Sequence, residues 1–260
     1  CTDGDVMWQK ERLLNCALKH LPTSCREVAW IDCDVIFDND SWVAGTARAL
    51  EAAPLVQLFG ELRHAPRDAA PSALPGGRLG AAQPSLAASR EHAADTRALL
   101  RSGMSRAPGA PTAGIAWAAR REWLAAHGLY DRCIVGGGDT ALVCAALGHP
   151  EMLTELHRMN AAQRLAYLGW AIGITASVAG RIGHVPGTVH HLWHGELAHR
   201  HTAERHAALV PLGFDPALDL APGVVLRPTR QPRPLRSAIT ATCGRSCRSI
   251  ARGAINLPRP

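Results

Sequence analysis

The chain has 260 residues, 47% of them hydrophobic and 19% charged, with a formal net charge of +6. That length and apolar content suit one main globular domain with an appendage and a sizeable core. The positive balance comes from arginine, since Lys10 and Lys19 are the only lysines; this fits a GC-rich coding bias better than a nucleic-acid surface, yet it would still draw in an anionic substrate.

Met7, Leu14, Leu18 and Leu21 recur at helical spacing, and Pro22 stops that helix just before a strand predicted over residues 28–37. The strand contains Trp30-Ile31-Asp32-Cys33-Asp34-Val35-Ile36-Phe37. With a two-residue period, Asp32 and Asp34 point to one face and their charges converge unless a cation or a proton separates them. A hard divalent ion would do so, and a bound diphosphate would complete its coordination. A helix over 41–52 and a strand over 55–59 then continue an α/β alternation.

Residues 65–111 are rich in Ala, Pro, Gly, Ser and Arg, with weak periodicity, and read as a long, partly mobile excursion of the kind that forms lids. Order resumes with a strand over 114–121 that passes into a helix over 122–126, with Gly128 as its C-cap. The run Gly136-Gly137-Gly138-Asp139-Thr140 precedes an apolar helix over 141–147. Three glycines let a backbone approach a ligand closely, and Asp139 is either the helix N-cap or a functional carboxylate.

Residues 165–180 are apolar, but glycines interrupt them and they fall short of the roughly 20 residues a membrane helix needs. A buried helix or strand pair is expected there. Next comes Thr188-Val189-His190-His191-Leu192-Trp193-His194-Gly195. As a continuous strand it puts His190 and His194 on the face of Leu192, with His191 and Trp193 opposite, so that one imidazole completes a metal site. His199, His201 and His206 fall on an amphipathic, solvated helix and are given no role. The eight cysteines read as reduced, which implies a cytoplasmic protein; Cys243 and Cys247 lack the second pair a zinc site requires. Beyond Leu220 the chain becomes a basic tail, with Arg227, Arg230, Arg233 and Arg236 at three-residue intervals. It reads as solvated, or else as a peripheral contact with an anionic membrane.

Five segments taken in order carry a resemblance: Trp8-Gln9-Lys10-Glu11-Arg12-Leu13-Leu14-Asn15, Ala29-Trp30-Ile31-Asp32-Cys33-Asp34, residues 114–117, residues 136–139, and His191-Leu192-Trp193-His194-Gly195. Together they resemble a GT-A fold glycosyltransferase related to the inverting family 2 group. The resemblance implies an α/β, Rossmann-like mixed sheet flanked by helices over residues 1–220, followed by the tail at 221–260. It implies Mn²⁺ or Mg²⁺ held by Asp34, with Asp32 on the ribose or on the metal through water, and with His194 or, failing it, His191 as a further ligand. Asp139 becomes the general base, and Gly137 and Gly138 line the acceptor. Lys10 reaches the nucleotide or lies on a solvated helix face; Trp117 offers an apolar face to the donor sugar or sits in the core.

The implied partners are a nucleotide-sugar donor, with UDP favoured, and a glycan or other hydroxyl acceptor, with no nucleic acid. Only 31 residues precede Asp32, whereas the family places several β-α units there, so an N-terminally truncated domain is expected. Two other readings remain. Asp32-Cys33-Asp34-Val35-Ile36-Phe37-Asp38 with Gly138-Asp139 also resembles haloacid-dehalogenase-type phosphatases, with Asp32 as nucleophile and Asp34 as acid and base. A sugar-binding remnant without turnover is the third.

Overall fold

The computed structural model describes residues 8–77, 80–105, 107–195, 202–221 and 227–228. In chain order its helices are α1 (Lys10–Leu18), α2 (Trp42–Ala52), α3 (Leu86–Arg90), α4 (Thr96–Ser105), α5 (Arg121–His127), α6 (Gly138–Ala146), α7 (Pro150–Leu156), α8 (Ala161–Val178) and α9 (Thr202–Ala207). The strands are β1 (Glu27–Ile31), β2 (Val35–Phe37), β3 (Leu55–Gln57), β4 (Glu61–His64), β5 (Ala82–Pro84), β6 (Ala116–Arg120), β7 (Ile182–His184), β8 (Thr188–His191), β9 (Leu220–Ala221) and β10 (Arg227–Pro228).

These form a mixed α/β architecture with two four-stranded mixed sheets. The first has the order β1-β6-β3-β7, and the second β2-β8-β4-β5. In the first, β3 and β7 run parallel while β6 is antiparallel to both its neighbours. In the second, β4 and β8 run parallel, and β2 and β5 pair antiparallel at its edges. Three successive pairs of strands, β1 with β2, β3 with β4 and β7 with β8, carry the chain from the first sheet into the second through short links.

The central strands β3 and β6 of the first sheet are buried on both faces, which explains their near-continuous apolar sequence, whereas Glu27, Ala29 and Ile31 of the edge strand β1 are exposed. Strand periodicity divides the sheet's residues. Trp30, Leu55, Trp117 and Ala119 join a core with Leu124, Tyr167 and Ile174 from the helices. Val56, Ala116 and Ala118 turn to the other side, against Leu50, Leu62 and Val189. Helix α6 is buried from Ala141 through Ala146, and its small residues let α8 lie close. Tyr167 donates its hydroxyl to the Ala141 carbonyl at 2.9 Å, and Thr175 donates to Ala145 at 2.8 Å, fixing α8 on α6. A capping box of Asn160 and Gln163 opens α8. Gly128, at φ +61°, closes α5 as expected.

Residues 28–37 do not form one strand. Two aspartates with poor strand propensity interrupt the apolar run, so β1 stops at Ile31 and β2 begins at Val35 in the other sheet. The excursion at 65–111 is more ordered than its composition suggested: it contains β5, α3, α4 and a 3-10 turn at Pro71–Ala73. Helices of five and ten residues are too short to build a clear period. Gln57 anchors them from the core, accepting from Ala87 N–H at 3.0 Å and donating to Thr112 and Gly114. Residues 165–180 belong mostly to α8, one helix rather than two strands, and Leu165 and Ile172 are exposed on its outer face. Among the described residues no helix is long and apolar enough to cross a membrane. The basic tail lies outside the described residues apart from Ala221, Arg227 and Pro228.

Trp117 is fully buried and Leu165 is 78% exposed. Trp117→Ala is therefore expected to cost about 3–5 kcal/mol in urea unfolding, whereas Leu165→Ala changes stability by less than about 0.5 kcal/mol.

Candidate functional site

The link from β1 to β2 places two constellations side by side. Asp32 N–H bonds the Ile115 carbonyl at 2.9 Å, and two residues later the Asp34 carbonyl accepts from Leu192 at 2.7 Å. This second bond extends the β2–β8 pairing, in which Val35 faces His191. Asp34 is thereby held opposite the end of β8.

Asp34, His191 and His194 converge. Asp34 Oδ2 lies 3.2 Å from His194 Nε2 and 3.5 Å from His191 Nε2, and the two imidazole nitrogens are 3.3 Å apart. Charge-assisted N–H···O bonds are shorter, about 2.7–2.9 Å. Ligands bound to one ion at about 2.1 Å stand about 3.0 Å apart in octahedral and about 3.4 Å in tetrahedral coordination. Two sides of the triangle, 3.2 and 3.3 Å, fall in that interval and the third, 3.5 Å, lies just above it, with two imidazoles and one carboxylate as donors. Such a donor set suits Mn²⁺, Fe²⁺ or Zn²⁺ and is less typical of Mg²⁺, which prefers oxygen.

The strand period explains which histidine serves. His190 turns to the opposite side, is wholly buried and meets Asp38 Oδ1 at 2.9 Å. His191 faces the triangle, with the His64 ring edge-on at 5.3 Å. His64 is itself oriented by Gln83 at 2.9 Å. The sequence pattern paired His190 with His194 on one face. The chain instead leaves the strand after His191, and that brings His191 and His194 together.

The second constellation surrounds Lys10. Its Nζ donates to Asp139 Oδ2 at 2.7 Å and to Asp32 Oδ1 at 3.3 Å. Burial would lower the Lys10 pKa, but Asp139 and Asp32 together raise it well above the ordinary range. Asp32 is shifted upward, chiefly by burial, with Lys10 opposing. Asp32 is therefore engaged by an ammonium, and it lies outside the Asp34–His191–His194 group. Lys10 does not occupy a solvated helix face.

Asp139 is not the N-cap of α6. That position belongs to Gly137, at φ +100°, and Asp139 sits in the first turn. The glycines answer to neighbours within the chain. A Cβ on Gly138 would overlap the Glu11 carboxylate, and one on Gly137 would come within 2.5 Å of His157 Cε1. Asn15 secures the approach to this turn, donating to the Leu129 carbonyl and accepting from Leu129 N–H.

Glu11, Asn15 and His157 were not singled out from the sequence. Glu11 and Asn15 lie on an ordinary amphipathic helix, and the only trace of Glu11 is the glycine at 138. Trp117 is core, its indole N–H donated to Ala113, so it has no face for a sugar. His206 is buried and stacked on His157 with ring centroids 3.4 Å apart, not solvated; His199 and His201 lie outside the described residues. Cys25, Cys33, Cys133 and Cys144 carry free thiols, while Cys243 and Cys247 lie outside the described residues. A cavity bounded by Tyr130, Cys133, His157 and His206 is lined by neither Asp34 nor Asp139.

Comparison with protein-family models, with curated proteins and with solved structures finds no match for the chain. Any functional reading therefore rests on the site itself.

Burial, reinforced by Asp139, pushes the Glu11 carboxyl up from 4.5 to about 7. The folded chain then keeps a proton that the unfolded chain releases near pH 4.5. This contribution to stability is complete below that pH and is lost as pH rises through about 7. Glu11→Gln is expected to flatten the stability profile between about pH 4.5 and 7 by about 3 kcal/mol, read from urea midpoints across that range.

Proposed function

We propose that the chain is a metal-dependent glycosyltransferase with a GT-A-like sheet. In this reading it moves a sugar from a nucleotide-sugar donor, with UDP favoured, to an acceptor hydroxyl on a glycan or surface polysaccharide. The observation that carries the reading is the Asp34–His191–His194 triangle beside the Lys10–Asp32–Asp139 bridge. Asp34 of the triangle lies two residues from Asp32, which shares the Lys10 ammonium with Asp139.

Asp34, His191 and His194 would hold the cation, with two imidazole nitrogens favouring Mn²⁺ over Mg²⁺. Once bound, such an ion offsets negative charge on a departing diphosphate. Asp139 offers Oδ1 to the proton of the acceptor hydroxyl while Lys10 holds Oδ2 and keeps the carboxylate aligned. Proton uptake at Asp139 would require the Lys10 contact to loosen or to be shared more with Asp32. Asp32 would contact a ribose hydroxyl or a metal-bound water. The phosphatase reading requires Asp34 as a mobile acid and base, and its engagement with two histidines favours the transferase. A cytoplasmic site of action with peripheral membrane contact belongs to the same proposal.

Calorimetry with UDP tests the site directly. Binding is expected to require Mn²⁺ and to be lost in Asp34→Asn and His194→Ala; Mn²⁺-independent binding, or affinity unchanged by both substitutions, would sink the reading. Asp139→Asn is expected to retain UDP binding while transfer falls about 10²–10⁴-fold.

A further inference from the structure

The histidine triangle stands at the carboxyl ends of two parallel strands, where ligands of open α/β sheets gather. In the pairing of β4 with β8, His64 lies opposite His191. The next residue, Ala65, donates its N–H to the His191 carbonyl at 2.8 Å. The two chains therefore leave the sheet side by side, one as residues 64–67 and the other as residues 191–194, which include two of the three donors of the triangle.

A second contact joins the departing chains. The Arg67 guanidinium carbon lies 4.9 Å from the centre of the Trp193 ring. Trp193 stands between Leu192, whose N–H is bonded to the Asp34 carbonyl, and His194. A cation–π contact holds a charge in place without committing its N–H donors to an acceptor. Arg67 is exposed and takes part in no ion pair or hydrogen bond among the described residues, and the Trp193 indole N–H has no acceptor among them. Arg63, four residues earlier, differs: its guanidinium is committed to Glu61 at 2.7 Å and to the Gly80 carbonyl. A permanent cation seated on an aromatic ring, with its donors unspent and a cluster of metal donors on the same strand ends, is suited to an anion that reaches both.

We propose that Arg67, seated on Trp193, binds one phosphate group of a diphosphate whose other oxygens reach the cation site at Asp34, His191 and His194. The planar guanidinium offers two parallel N–H bonds to a phosphate, which fix its orientation as well as offsetting its charge. Trp193 keeps the long Arg67 side chain from wandering and so lowers the ordering cost of the contact. That the diphosphate belongs to a nucleotide sugar rests on the glycosyltransferase reading, in which Arg67 also bears on the charge that builds on the departing group. The anion site itself does not rest on that reading.

Calorimetry on the full chain with inorganic pyrophosphate and with UDP, each with and without Mn²⁺, tests the site, with Mn²⁺ affinity measured separately in the absence of either anion. Arg67→Met is expected to bind pyrophosphate about 10–100-fold more weakly than the unsubstituted chain, with Mn²⁺ affinity unchanged. Arg67→Lys is expected to recover part of that loss, because lysine restores the charge but not the fork, and Trp193→Phe, which keeps a ring face, to retain most of the affinity. Absence of pyrophosphate binding, or equal affinity in Arg67→Met, overturns the proposal. So does an equal fall in Mn²⁺ affinity in Arg67→Met, because Arg67 would then be steadying His194 rather than holding the anion. Mn²⁺-dependent UDP binding that ignores Arg67→Met upholds the transferase reading and overturns the anion site. Arg67-dependent pyrophosphate binding in a chain that binds no UDP upholds the anion site and overturns the transferase reading.

Discussion

The Lys10 ammonium is the contact on which the site depends. It lies between Asp139 at 2.7 Å and Asp32 at 3.3 Å, and so joins α1, the end of β1 and the first turn of α6. At an effective dielectric of about 20, each contact carries a gross attraction of about 5 kcal/mol before desolvation is subtracted. The pairs are about one-quarter to one-third exposed, which reduces their net value, but their geometric effect is undiminished. Without the ammonium, Asp32 and Asp139 would lose the cation that lies between their charges.

The two sheets supply a second constraint. Each of β1, β3 and β7 leaves the first sheet and enters the second within a few residues. Asp32, Cys33 and Asp34 form one of these links, and the β7–β8 link aligns β8 so that Leu192 continues the ladder to Asp34. Asp32 is thus committed to Lys10 while Asp34, two residues on, is committed to the histidines. Had residues 28–37 remained one strand, both carboxylates would have faced the same ligand. The break divides them into one anion that steadies the glycine turn and one that completes a triangle of metal donors.

What could be read from residues alone follows from this geometry. The carboxylate pair, the glycine run and the histidine cluster were visible because unusual residue types stood at short spacing. Helix α2, strand β6 and the Gly128 cap were visible because period and turn chemistry agreed. The choice of His191 over His190 was not, since it depends on where β8 ends. Glu11 was hidden for a different reason: an acid on an amphipathic helix normally faces water, and only the glycine packed against it marks the exception. Trp117 misled in the opposite sense, for a tryptophan close to a polar run suits a ligand face until the two-sided burial of β6 is known.

Burying an acid beneath a glycine turn costs stability unless the acid keeps its proton, and the raised Glu11 pKa expresses that cost. A protein built only for stability would place an apolar side chain there, because an apolar group carries no such desolvation cost. The upward shift has burial as its first cause and the charge of Asp139 as its second, with Lys10 opposing both. The same glycine that makes room for Glu11 opens α6, so the packing of α1 and the start of the helix that carries Asp139 become one constraint.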